Sequence, residues 1–110
     1  MDERERRLAE NERLFREVNE RIEAAAVGHG VDNHMYAFVC ECSNVDCTLT
    51  VTMPLAEYDR ARQDPAVFVL AFGHELPEIE KVVHRGGGYQ LVRKQGEAGR
   101  LARETDPRAP

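Results

Sequence analysis

Residues 38–51 read FVCECSNVDCTLTV, and all three cysteines of the chain, Cys40, Cys42 and Cys47, lie inside this stretch. Side chains alternate along an extended strand, so over residues 35–42 Tyr36, Phe38, Cys40 and Cys42 share one face, and Met35, Ala37 and Val39 the other. Ser43-Asn44-Val45-Asp46 has the composition of a turn, after which Cys47, Leu49, Val51 and Met53 line one face of a second strand. The stretch therefore predicts an antiparallel hairpin with the cysteines at its tip.

Three cysteines cannot all pair within one chain, so a metal, a redox role or plain burial must account for at least one thiol. No apolar run approaches the roughly 18 residues of a membrane span, and the N-terminus MDERERRLAE has no hydrophobic signal core. The expectation is a cytoplasmic protein without membrane contact, in which clustered thiols stay reduced. Cys40 and Cys42, two apart on a strand, have alpha carbons about 7 Å apart and can converge if a bulge or twist draws them together, and the turn returns Cys47 to them. Three thiolates repel unless a cation holds them, and tetrahedral zinc accepts three thiolates and one imidazole as a closed structural site.

The fourth ligand must come from His29, His34, His74 or His84. His74 follows Gly73 directly after the apolar run AVFVLAF, where a glycine turn can aim an imidazole into a site, and it is the chosen ligand. His34 lies six residues before Cys40, about 20 Å along an extended strand and away from the tip. His84 falls in a strand-like run of its own.

To either side, the chain reads as α+β. Leu8, Phe15, Val18, Ile22 and Ala25 fall at helical spacing, with Glu12–Arg16 and Glu17–Arg21 as i,i+4 ion pairs and Gly28 and Gly30 as the stop. With Asn11 added, the same positions alternate as heptad a and d sites, so the stripe is read first as packing on the domain's own sheet and second as pairing with another helix in a homodimer. Pro54 opens a short helix through Tyr58 and Arg62, and AVFVLAF is a buried strand. EIEKVVHR and YQLVRK flank Gly86-Gly87-Gly88 as a terminal hairpin, although PEIEKVVHR also reads as a helix after Pro77. Residues 95–110 carry few large apolar side chains and are expected to form a disordered, basic tail. The resulting division is an N-terminal helix over 1–28, a small α+β domain with a mostly antiparallel sheet over 29–94, and that tail.

Charge narrows the function. The chain carries 15 basic and 20 acidic residues; residues 1–26 hold 6 and 8, residues 27–80 hold 2 and 9, and residues 81–110 hold 7 and 3. A net −5 with an acidic middle disfavours nucleic acid and leaves a protein partner, met through the helix or the basic tail, as the expected interaction. His74-Glu75-Leu76-Pro77-Glu78 begins like a zinc-protease helix, but the second histidine is a glutamate and Pro77 interrupts it. The triple glycine lacks the lysine and hydroxyl residue of a phosphate loop. No orienting acid or oxyanion hole accompanies a Cys47–His74 pair, so no enzyme is expected.

FVCEC followed by Cys47, then AEYDRAR, DPAVFV, Gly73-His74-Glu75 and a late LVRK, resembles a group of small bacterial proteins without assigned function, over most of the chain from the first helix to about Lys94. The resemblance implies that Cys40, Cys42, Cys47 and His74 form one constellation, and implies nothing about a substrate. The chain departs from that pattern at Phe72, where a proline often precedes Gly-His, and at its triple glycine. The expected protein is a non-enzymatic, zinc-stabilised binding or adaptor module, with a thiol-based redox sensor as the alternative.

Overall fold

The computed structural model describes residues 3–27 and 34–108. Helix α1 spans Glu3–Val27, β1 Met35–Val39, β2 Thr50–Pro54, α2 Leu55–Ala61, β3 Val67–Leu70, β4 Glu80–Gly86, β5 Tyr89–Lys94 and α3 Gly96–Glu104. The class is α+β, as the alternation and the helical stripe predict. Gly28, Gly30 and the expected break at Val31-Asp32-Asn33 lie outside the described residues, as does His29.

Two small antiparallel sheets form instead of one. β1 pairs with β2, setting Phe38 opposite Val51 and Tyr36 opposite Met53, and a second sheet runs in the order β3-β5-β4. The ten residues between β1 and β2 join the sheets: Glu41 N–H donates to Val69 O at 2.8 Å, so the chain leaving β1 runs beside β3. Phe38, Val51, Met53, Val69, Leu70 and Val92 are buried between the sheets and α2, and Phe38 stacks on Tyr58 with ring centroids 4.2 Å apart. The ambiguous run after Pro77 is the strand β4, because its pairing with β5 satisfies backbone groups that a short helix would leave open. Pro54 closes β2 and caps α2 with extended geometry rather than serving as the first helical residue.

α1 meets the core through a face that overlaps the apolar stripe only in part. Glu12, Arg16, Asn19 and Ala26 are the buried positions, Leu8, Phe15 and Ile22 are half-buried, and Val18 and Ala25 are exposed. Glu12 and Arg16, expected to pair with each other, both turn inward to other partners, while Glu17, expected on Arg21, pairs with Arg13 at 3.6 Å. Polar groups fill this face because Arg16 and Asn19 reach backbone atoms of the sheets and Glu12 meets Lys94.

The C-terminal segment also departs from the expected disorder. Gly96–Glu104 forms α3, which packs on β5 and α1 with Gly99 and Ala102 buried. A Cβ at Gly99 would stand 2.8 Å from Lys94 O, so glycine is what lets the helix lie this close to the strand end. Large apolar residues, on which the disorder reading turned, are not needed where small ones allow close approach.

Candidate metal centre

The hairpin tip is a loop, not a continuation of the strands. Cys40 follows the last residue of β1 and donates its N–H to Leu49 O at 3.0 Å, the last rung before the chain opens. Asn44 then builds the turn: its side-chain oxygen accepts from Asp46 N–H and its carbonyl from Cys47 N–H, each at 3.0 Å, which brings Cys47 back. His74 arrives from the other sheet, just after β3, where Gly73 adopts φ +81° and His74 N–H donates to Ala71 O at 3.3 Å.

One ligand atom from each of Cys40, Cys42, Cys47 and His74 lies within 4.8 Å of all the others, and the three cysteines are free of disulfides. His74 Nδ1 stands 3.6 Å from both Cys40 Sγ and Cys47 Sγ. A sulfur and a nitrogen bound to one tetrahedral zinc, with Zn–S near 2.3 Å and Zn–N near 2.0–2.1 Å, lie roughly 3.6 Å apart. The donor set therefore fits a four-coordinate metal in chemistry, and two of its sulfur-to-nitrogen separations fit in spacing, with Cys40 and Cys42 buried and Cys47 and His74 half-buried. The other described histidines stand elsewhere: His34 edges onto Tyr36 and His84 leans on Tyr89.

The thiols differ in proton affinity. Cys40 is held below the ordinary thiol range because Cys42 donates to its sulfur, helped by Ala71 N–H at 3.2 Å. Cys42, the donor of that bond and itself desolvated, is pushed up. A cation in their midst would replace the shared proton and hold both sulfurs as thiolates.

Sequence reading missed Glu41, the residue between the first two ligands. It is fully buried, with its Oε1 accepting from Val69 N–H at 3.0 Å and its Oε2 from Tyr58 O–H and Asn19 Nδ2, each at 2.8 Å. The positive charges of Arg16 and Arg62 face it. Strand alternation places Glu41 opposite the two cysteines, and a carboxylate on the Val39 face of an apolar strand was the available signal. While the cysteines turn to one another, Glu41 anchors the same three residues to β3, α1 and α2.

No protein-family profile matches the chain, and no curated protein or solved structure is detectably similar to it.

Proposed function

We propose that the protein is a non-enzymatic binding module whose Cys3His centre holds a structural zinc ion. What carries this reading is the convergence of four donors within 4.8 Å, two of the sulfurs 3.6 Å from the imidazole nitrogen, around a point that no disulfide closes. Thiolates and imidazole favour zinc, and four protein ligands leave no open position for chemistry. In this reading the metal ties the β1–β2 loop to the end of β3, and a protein partner, or a second copy of the chain, meets the outer side of α1, where Leu14 and Val18 stand exposed, or the C-terminal segment.

A structural zinc contributes about 10–16 kcal/mol of apparent binding energy in zinc-finger peptides, more than the net stability of most small domains. Protein purified without a histidine tag should carry one zinc per chain, and a strong chelator should lower its melting temperature steeply. His74→Ala should release zinc as Cys47→Ser does, whereas His34→Ala and His84→Ala should not. Metal-free protein that melts alike with and without chelator would end the zinc reading.

The half-exposed Cys47 supports a second reading, a thiol redox sensor. Mild peroxide would take two electrons from two thiolates and two protons from solvent, forming one disulfide and two waters and releasing the metal. Thiol and zinc counts before and after peroxide separate the readings, since a purely structural centre keeps both.

A further inference from the structure

α1, the end of β5 and α3 enclose a cavity of about 340 Å³, and none of the four clustered ligands lines it. Leu8, Phe68, Ile79 and Leu101 give it apolar walls. Arg16 also lines it, 1% exposed, with its guanidinium carbon 3.7 Å from the Phe68 ring centre. Arg16 Nη2 donates to Val67 O at 2.8 Å, but Nε and Nη1 are buried without an acceptor. Burial lowers this guanidinium to about 10, which still leaves it cationic at neutral pH.

The remaining charges define the complement. One turn before Arg16, Glu12 lines the same cavity, and Lys94 Nζ lies between Glu12 and Glu80. Formally, Arg16 and Lys94 together balance Glu12 and Glu80. The mouth adds Glu5, Glu78 and Glu97 against Arg13, which disfavours a simple anion. The cavity thus sets a guanidinium with unmade donors and, one turn away, the Glu12 carboxylate over apolar walls, with an acidic mouth outside them.

We propose that this cavity binds a free amino acid with an apolar side chain. The carboxylate accepts from Arg16, the adjacent ammonium meets Glu12, and the side chain packs on Leu8, Phe68 and Leu101. A volume near the lower end of the range for ligand pockets suits a single small molecule rather than a peptide.

The test is a titration of the full chain with L-leucine, followed by amide resonances. Saturable shifts at Phe68, Ala98 and Leu101 are expected, with a Kd of about 1 mM or tighter. L-leucinamide, lacking the carboxylate, and N-acetyl-L-leucine, lacking the ammonium, should each bind at least about tenfold more weakly. Arg16→Met should abolish binding. Because Arg16 also supports Val67, Ala98→Phe provides a variant that fills the cavity and leaves Arg16 in place; it should abolish binding while keeping the melting temperature. No shift with leucine, equal binding of either derivative, or binding that survives Ala98→Phe would overturn the proposal.

Discussion

Glu41 shows how much one side chain decides here. Burying a carboxylate is costly unless donors and opposite charge meet it, and Val69 N–H, Tyr58 O–H, Asn19 and the two arginines do so. The Cys-Glu-Cys segment is held from the side away from the thiol cluster. Glu80 presents the converse case. Its Oε1 accepts from Leu76 N–H and its Oε2 meets Lys94, yet burial pushes its carboxyl from 4.5 up to about 7. Between those values the folded chain keeps a proton that the unfolded chain has released. The stabilisation is therefore fully present below about pH 4.5 and is lost as pH rises to about 7, a loss of at most about 3 kcal/mol. Glu80→Gln mimics the protonated form, so its stability relative to wild type should improve between about pH 5 and about pH 7.5 in denaturant unfolding. If the Cys3His centre holds zinc as proposed, its affinity would change in the opposite direction with pH, equally in both proteins, and drop out of the comparison. A difference that does not change with pH would refute the assignment.

Among the elements, α1 behaves as a surrogate strand. Asn19 Oδ1 accepts from Val39 N–H at 2.8 Å and its Nδ2 donates to Val39 O at 2.9 Å, as a neighbouring strand would. Arg16 does the same for Val67 O of β3, and Asn11 Nδ2 donates to Ser43 O at 2.8 Å in the cysteine loop. One polar face thus closes edges of both sheets and braces the loop that bears the three cysteines. Asn19→Leu leaves the Val39 groups and Glu41 short of partners and should cost about 2–4 kcal/mol, because each unmet buried group carries its full desolvation penalty. Val18→Ala, on the 41% exposed side of the same helix, should change stability by less than about 0.5 kcal/mol. Comparable losses from the two substitutions would mean that α1 docks by its apolar stripe after all.

Across the whole molecule, the C-terminal segment returns to close the structure. Arg62, whose side chain is fully buried, pairs with Glu20 of α1 at 2.9 Å and with Asp106. Arg108 reaches Glu20, Glu23 and Asp59, tying α1 to α2 from the surface. Deleting residues 96–110 removes one partner of a buried guanidinium together with α3, and should cost about 2 kcal/mol or more, on the order of 10 °C in melting temperature. Arg108→Ala should cost less than about 1 kcal/mol, because its ion pairs are partly solvated. If the truncated chain melts like the intact one, the segment contributes nothing to the fold. No helix among the described residues is long and apolar enough to cross a membrane.

What could be read in the amino-acid sequence alone were the features written by local rules. Period-two alternation marked β1 and β2, helical spacing marked α1, turn residues marked the reversals, and residue chemistry with a glycine before His74 brought forward the four residues that the fold gathers within 4.8 Å. Tertiary structure alone decided which face of α1 turns inward, where Glu41 and Arg16 find their partners, and that residues 96–104 form a helix. The physical reason is common to all three. A buried polar side chain is stable only where particular backbone carbonyls, amides and opposite charges meet it, and those groups come from Val39, Val67, Val69 and Asp106, distant in the chain. Hydrophobic periodicity records how much a face avoids water, and it carries no record of hydrogen bonds that exist only after the sheets are in place.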